Sequence, residues 1–275
     1  MSIVTTHTKG SVLLGYTNDR KFYIDEDKED GNKQIVTEKD EQITPVPYLM
    51  EEQRVACFIS GMSGSGKSTI ASKIAKELQD RIKPKTYTRK IRDPDDPKVL
   101  HPARMKIVLI TGGLVDPAFK QFEDQKRLNM FIPIHPETDP SFTKLSMASF
   151  IDTIVIFDDF ENIKNERPLF LNDFTRHLLE SLLKLTRKQN THILVINHAT
   201  QDYVKTKTII NECDNYVLFP SVNRNSVRKF LDSYGDLSKD EIEKLVTENS
   251  KRFDFLFFHK SAPRYALSRH RITVL

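Results

Sequence analysis

The nine residues from 61 to 69 read Gly-Met-Ser-Gly-Ser-Gly-Lys-Ser-Thr, a set of residue types that can bind a phosphate chain. The glycines let backbone N–H groups wrap the phosphates, Lys67 reaches the β- and γ-phosphate oxygens, and Ser68 offers its hydroxyl to Mg²⁺. The residues expected to contact the nucleotide are Gly61, Ser63, Gly64, Ser65, Gly66, Lys67, Ser68 and Thr69. The spacing therefore predicts that the chain binds ATP together with Mg²⁺.

The sequence on either side of this loop predicts the two elements that must hold it. Residues 55–59 form an apolar run typical of a buried strand, and residues 70–78 have the pattern of a helix. Such a helix adds the positive end of its dipole to the phosphate site. Because the lysine, the hydroxyl, the strand and the helix occur together, we interpret the segment as a P-loop rather than a structural glycine loop.

Two adjacent acids close a second strongly apolar run, residues 153–157. A P-loop ATPase carries its Walker B carboxylates at the end of such a strand, so we predict that Asp158 binds Mg²⁺ and that Asp159 polarises the attacking water. Glu161 is a weaker candidate for the role of Asp159. The alternative is that the paired acids only cap the following helix.

A further polar position follows the apolar run 192–196. Because α/β sheets gather their ligands at the carboxyl ends of strands, we predict that Asn197 senses the γ-phosphate. His198 is a second candidate, with a structural role as the alternative.

Arg187 precedes this run, and we predict that it is an arginine finger reaching a neighbouring subunit. Its alternative role is to satisfy carbonyl groups at a helix end.

Buried strands and helices alternate along the chain. The predicted strands cover residues 106–111, 130–135, 153–157 and 192–196, and a helix is predicted over 168–188. Uninterrupted apolar runs are typical of strands covered on both faces. The fold class is therefore predicted to be α/β, a P-loop NTPase with a largely parallel central sheet flanked by helices. We expect residues 1–50 to form an N-terminal extension with an acidic segment, and residues 51–275 to form the P-loop ATPase domain.

Composition is that of a globular chain, with 38% hydrophobic and 29% charged residues among 275. No apolar run is long enough to cross a bilayer, and the N-terminus lacks the apolar stretch of a secretory signal. We therefore expect an intracellular protein without a membrane span. Cys57 and Cys213 lie in apolar stretches and are predicted to pack as free thiols in a reducing compartment.

The net charge of +4 is unevenly distributed. Residues 24–42 contain eight acids and three lysines, whereas residues 251–275 contain six lysines and arginines and the acid Asp254. A basic C-terminal segment suits contact with a polyanion such as a nucleic acid backbone. A solvated basic face is the alternative interpretation.

Taken in order, these motifs resemble those of a known family. The resemblance lies in GMSGSGKST, IVIFDDFE, the RKQNTH lead into VINHATQDY, TIINECDNYVLFPSVNRNSVRKFL and SKRFDFLFFHKSAPRYAL, within about residues 50–268. These segments are similar to the genome-packaging ATPases of nucleocytoplasmic large DNA viruses and their virophage relatives, in the FtsK–HerA superfamily. The chain departs from the family at residues 250–253, which read Ser-Lys-Arg-Phe where relatives commonly carry Ser-Arg-Trp.

The resemblance implies a RecA/FtsK–HerA-like fold and a homo-oligomeric, hexameric ring that hydrolyses ATP to drive double-stranded DNA into a capsid. It also implies capsid proteins as partners and a location in the host cytoplasm at viral assembly sites or with the virion. A channel of this kind contacts phosphates with little base reading. Lys205 and Lys207 are candidates for its lining, with exposed helix positions as the alternative.

Two other functions fit parts of the sequence. A P-loop phosphotransferase acting on a nucleoside or other small acceptor would use Asp158 or Asp159 as a base and would need a lid, for which the region of Arg89, Arg92 and Arg104 is a candidate. A nucleotide-gated switch would bind ATP with negligible turnover. The paired acids followed by a polar strand end favour water as the acceptor.

Overall fold

The computed structural model describes residues 1–28, 33–48, 54–86, 90–92, 96, 98, 100–124, 130–160, 168–198 and 206–275. The chain divides into two compact units. The first unit consists of Met1–Met50, Cys57–Lys67 and His198–Leu275, and the second consists of Glu51–Ala56 and Ser68–Asn197. The predicted fold class is confirmed, because the chain is α/β with a largely parallel central sheet flanked by helices.

The secondary structure is numbered in chain order. The strands are β1 (Ser2–Val4), β2 (Val12–Tyr16), β3 (Lys21–Asp25), β4 (Gln34–Val36), β5 (Thr44–Pro45), β6 (Ala56–Ser60), β7 (Ile91–Arg92), β8 (Leu100–His101), β9 (Lys106–Thr111), β10 (Phe131–Ile134), β11 (Thr153–Asp158), β12 (Thr191–Asn197), β13 (Asn215–Leu218), β14 (Leu256–His259), β15 (Tyr265–Ser268) and β16 (Arg271–Val274). The helices are α1 (Lys67–Arg81), α2 (Lys120–Asp124), α3 (Pro168–Leu185), α4 (Lys207–Glu212), α5 (Arg224–Tyr234) and α6 (Lys239–Glu248).

The second unit is built on four parallel strands in the order β10, β9, β11, β12. Every residue of β11 and β12 is buried, which explains why both read as nearly continuous apolar runs. In the register of these strands, Asp158 lies opposite Thr111 on one side and Ile196 on the other. The carboxyl ends of β9, β11 and β12 therefore meet at one edge of the sheet.

In the first unit β6 pairs in parallel with β13, and antiparallel pairing then continues through β14, β15, β16 and β4. The N-terminal segment contributes β4 to this sheet, with Ile35 opposite Ile272. Backbone N–H groups of Thr37 and Ile43 donate to the carbonyls of His270 and Arg269 at 2.8 and 2.7 Å. Residues 33–48 are thus bonded directly to the C-terminal hairpin. Strands β1, β3, β2 and β5 form a separate antiparallel sheet in the same unit.

Strand β13 is fixed by an aromatic core within the first unit. The hydroxyl of Tyr216 donates to the carbonyls of Ile210 and Cys213 at 2.8 and 2.6 Å, and its ring packs against Phe230 and Phe258. Cys57 and Cys213 are both buried free thiols, and burial raises the pKa of the Cys57 thiol well above its ordinary value. Among the described residues, no helix is both long and apolar enough to span a membrane.

Candidate functional site

The P-loop follows β6 and leads into α1, and its glycines are required for two different reasons. Gly64 and Gly66 have φ angles of +73° and +101°, in the left-handed region that favours glycine. At Gly61 the obstacle is space, since a Cβ atom there would lie 2.7 Å from Ser65 Oγ and 2.8 Å from Phe219 Cδ2. Phe219 thus packs against the backbone of the phosphate-binding loop.

Lys67 is folded back over this loop. Its side chain is buried, and its Nζ donates to the carbonyl of Met62 at 2.9 Å. The N–H of Ser65 donates to the same carbonyl at 3.2 Å. The ammonium group is therefore held within the curve of the loop, where it can exchange a carbonyl for phosphate oxygens. Of the other predicted contacts, Ser68 is half-buried and Thr69 is exposed, as are Ser63 and Gly64.

The two acids of the second unit sit where β11 ends. Asp158 is its last residue and is buried, and its carbonyl accepts from the N–H of Gly112 at 3.3 Å. Asp159 is half-buried and has a φ angle of +48°. Aspartate tolerates this left-handed conformation better than most residues, and such conformations cluster at functional sites. The left-handed residue therefore ends the extended strand conformation directly after Asp158.

Asn197 lies on the strand next to Asp158. It ends β12 and is only 5% exposed, one residue beyond the pair formed by Asp158 and Ile196. Because neighbouring strands are about 4.8 Å apart, the backbones of Asp158 and Asn197 lie close together at the carboxyl edge of the sheet. Ser68 belongs to the same unit as both residues. His198, which belongs to the first unit, is exposed.

Arg187 lies at the other end of the same sheet. It is an exposed residue in the turn between α3 and β12, before the first residue of that strand. Since β12 is seven residues long and each residue rises about 3.3 Å, the two ends of the strand are roughly 20 Å apart, and Arg187 precedes the end opposite Asn197. The structure therefore does not bring Arg187 to the carboxyl edge of its own sheet, and a finger role requires a second copy of the chain.

Three of the residues singled out from the sequence lie outside the described part of the chain, namely Glu161, Arg89 and Lys205. Among those inside it, Arg92 and Lys207 are exposed and Arg104 is half-buried.

The basic C-terminal segment is largely engaged in contacts within the first unit. Arg264 bonds Asp236, Arg269 donates to the carbonyl of Phe253, Arg271 pairs with Glu248, and Lys260 donates to the carbonyl of Asn211. Lys251 and Arg252 are exposed, and the Arg252 guanidinium stacks on the Phe253 ring. The segment therefore offers less cationic surface to a polyanion than its composition indicates.

Sequence reasoning missed two residues of this region. Phe219 was visible as the Phe of a Phe-Pro pair at a strand end, but nothing in the sequence shows that its ring contacts Gly61. Thr111 ends β9 opposite Asp158, and its Oγ1 accepts from the N–H of Gly113 at 3.2 Å. Its position at the end of a predicted strand is the signal that could have found it.

Comparisons with known proteins agree with this geometry. No family model matches the chain. An uncharacterised protein, V3, of Sputnik virophage is 25% identical over 236 residues, which cover 84% of this chain and 82% of that protein. The genome-packaging NTPase B204 of Sulfolobus turreted icosahedral virus 2, solved with ATP-γ-S, is 14% identical, with a TM-score of 0.50 over 82% of this chain and 100% of that one. The chain has the fold of a genome-packaging NTPase. The resemblance seen in its motifs is thereby confirmed as a likeness of fold.

Proposed function

We propose that this chain is an ATPase that translocates double-stranded DNA and packages a viral genome into a capsid. The observation that carries the proposal is the placement of Asp158 and Asn197 at the ends of neighbouring strands. The same chain has a P-loop whose backbone packs against Phe219, and it has the fold of a packaging NTPase. The solved relative is named for genome packaging and is in complex with an ATP analogue, which supports ATP as the substrate here.

The residues support a hydrolytic mechanism. Lys67 would bind the β- and γ-phosphates, and the backbone N–H groups of the P-loop would hold the phosphate chain. The Ser68 hydroxyl and the Asp158 carboxylate are hard oxygen donors of the kind that Mg²⁺ prefers, and they belong to the same unit. Bound Mg²⁺ would neutralise charge on the phosphates. Asp159 would orient and polarise the attacking water, and Asn197 would hydrogen-bond the γ-phosphate.

We also propose that Arg187 acts in trans. Its position before β12, at the end of the strand roughly 20 Å from the carboxyl end, supports this route. A ring of identical subunits would supply that arrangement. Mixing inactive Arg187→Ala and Asp159→Asn proteins tests it, because each mixed interface can pair an intact arginine with an intact acid. Recovery of turnover supports the finger, and mixed assemblies that stay inactive contradict it.

The proposed partners are double-stranded DNA, further copies of the chain in a hexameric ring, and capsid proteins, at assembly sites in the infected cell. The first experiment measures steady-state ATP hydrolysis with and without long double-stranded DNA, at varied protein concentration and salt. We expect stimulation by DNA that is cooperative in protein and weakens with salt. Lys67→Ala should abolish it. Turnover that ignores DNA and requires a nucleoside acceptor would instead identify a phosphotransferase.

A further inference from the structure

The amino edge of the second unit's sheet joins two loops that are far apart in sequence. Asp152, directly before β11, is fully buried and accepts from the backbone N–H groups of Lys85 and Thr86 at 2.8 and 2.6 Å. It also accepts from Asn190 Nδ2 at 2.6 Å. One carboxylate therefore ties residues 83–86, after α1, to the turn before β12.

Further bonds fix the backbone of these loops without using the side chains of their lysines. Asn190 Nδ2 also donates to the carbonyl of Lys83 at 3.1 Å, and the N–H of Asp152 donates to the carbonyl of Gln189 at 3.2 Å. The N–H of Lys106 donates to the carbonyl of Asp152 at 3.3 Å. The loops are thus held as a framework while Lys83 and Lys85 remain exposed.

This framework gathers positive charge, and we call the resulting surface the basic edge. Its exposed cations are Lys83, Lys85, Lys184, Arg187 and Lys188. Three further cations, Arg54, Arg104 and Lys106, are half-buried, and of these Arg54 donates to the carbonyl of Leu183 and Lys106 to that of Ser149. The charges are close enough to be felt by a neighbour, since Arg54 and Lys85 add to the effect of burial in lowering the pKa of His192 to about 4. Two nearby acids offset part of this charge, and the charge of Asp152 raises the pKa of His192 where Arg54 and Lys85 lower it. Asp152 is buried beneath its donors, and Glu180 lies 3.8 Å from Lys184.

The composition of the basic edge favours a polyanion over a protein surface. Protein interfaces are depleted of lysine and enriched in aromatic residues. The described part of this surface carries exposed lysines, with exposed Leu185 beside Lys184. Long cationic side chains on a fixed backbone are instead suited to phosphates at regular spacing, where they release counterions without reading bases.

We propose that the basic edge binds the phosphate backbone of double-stranded DNA. The proposal rests on the proposed function and adds the place of contact, roughly 20 Å from the strand ends that carry Asp158 and Asn197. DNA contact and phosphate chemistry would then occupy opposite ends of the same four strands. The test substitutes lysines of the basic edge and leaves Arg187 unchanged, because Arg187 has a separate proposed role.

The experiment compares the full chain with the triple variant Lys83→Gln, Lys85→Gln, Lys188→Gln. Its matched control is Lys229→Gln, Lys239→Gln, Lys244→Gln, which removes three exposed lysines from α5 and α6. Binding to a fluorescent duplex is measured by anisotropy from about 50 to 200 mM salt. Three lost phosphate contacts should reduce the slope of log K against log salt by about 3 and weaken binding by roughly tenfold or more, whereas the control should match the wild type.

Three other results of this experiment would contradict the proposal. If the wild type binds no DNA, the proposed function and the basic edge fall together. If the wild type binds DNA and the triple variant binds equally well, only the basic edge is wrong. Sedimentation of the same samples covers the remaining case: loss of self-association with unchanged DNA affinity would make this surface a contact between copies of the chain, which overturns the proposal.

Discussion

Strand β11 is flanked by two aspartates that share a left-handed backbone conformation and differ in burial. Asp152 precedes the strand with a φ angle of +52°, and Asp159 follows it with a φ angle of +48°. Asp152 is fully buried and accepts bonds from Lys85, Thr86 and Asn190, whereas Asp159 is half-buried at the edge with the polar strand ends. The amino edge thus uses its acid for structure, and the carboxyl edge leaves its acid accessible.

The difference shows how a strand-end carboxylate is assigned a role. Burial alone raises the pKa of Asp152, but the N–H of Lys85, the hydroxyl of Thr86 and the amide of Asn190 together bring that pKa below its ordinary value. A carboxylate saturated by the protein's own donors has no capacity left for water or metal. The left-handed turn is common to both edges, so burial and saturation by donors, and not backbone conformation, mark Asp152 as a structural residue.

The largest expected effect is on catalysis at the carboxyl edge. Asp159→Asn removes the charge that polarises water and should lower kcat by about 10²- to 10⁴-fold, with ATP binding retained. The control is Asp152→Asn, which should leave turnover per folded molecule near that of the wild type because its acid faces only the chain. Single-turnover hydrolysis and nucleotide affinity are measured together. Normal turnover in Asp159→Asn would move the role elsewhere, with Glu161 as the next candidate.

A smaller effect is expected from pH at the amino edge. Buried His192 accepts from the N–H of Val55 at 3.1 Å through Nδ1, and burial lowers its pKa from 6.5 to about 4. Between these pH values the unfolded chain binds more protons than the folded chain, so the free energy of unfolding decreases as the pH falls from about 6.5 toward 4. The expected decrease between pH 7 and pH 5 is about 2 kcal/mol. His192→Asn, which keeps an acceptor, should lose this contribution in urea unfolding at the two pH values.

The first unit provides the comparison for that experiment. Burial also lowers the pKa of His259 to about 4, and its Nδ1 lies 3.0 Å from Asn215 Oδ1. His259→Asn should remove a second contribution of the same sign and size. An unchanged difference between pH 7 and pH 5 in His192→Asn would show that this imidazole titrates normally in the folded chain.

Much of the carboxyl edge could be predicted because its signals are local. Each strand there is a short apolar run that ends in a polar residue, so β11 and β12 were predicted to within one residue at each end. The P-loop could also be predicted from the sequence, since the spacing of the motif alone identifies Lys67 and Ser68. The helix predicted over residues 168–188 ends earlier, at Leu185, where the basic turn begins.

The rest depends on contacts between residues far apart in the chain, which no local pattern encodes. The packing of Phe219 on Gly61, the pairing of β4 with β16 and the bonds that Asp152 makes to two loops are all of this kind. Contacts between distant residues also decide which cationic side chains are available to a ligand. The C-terminal cations were counted from composition, but several are engaged within the first unit, whereas the basic edge is assembled from loops that are separate in sequence.

Asp152→Asn should also destabilise the chain by about 1–3 kcal/mol, because an amide cannot accept from all the donors that now share the carboxylate. Urea unfolding at pH 7 measures the loss. Asp139→Asn is the control, since Asp139 is an acceptor within one exposed turn, bonded to the N–H of Ser141 at 2.9 Å, and its replacement should cost less. Equal losses in the two variants would mean that the buried network contributes no more than a surface turn.

The smallest effect is expected at Thr86, whose hydroxyl is one of several donors to Asp152. Thr86→Val should cost about 1 kcal/mol, and Thr86→Ser, which keeps the hydroxyl, should cost less. The backbone N–H of Thr86 still donates to the carboxylate in both variants, so Lys85 stays in place and DNA affinity should not change. If Thr86→Val weakened DNA binding as much as the triple lysine variant does, the conformation of this loop would govern binding, and the charge of its lysines would not.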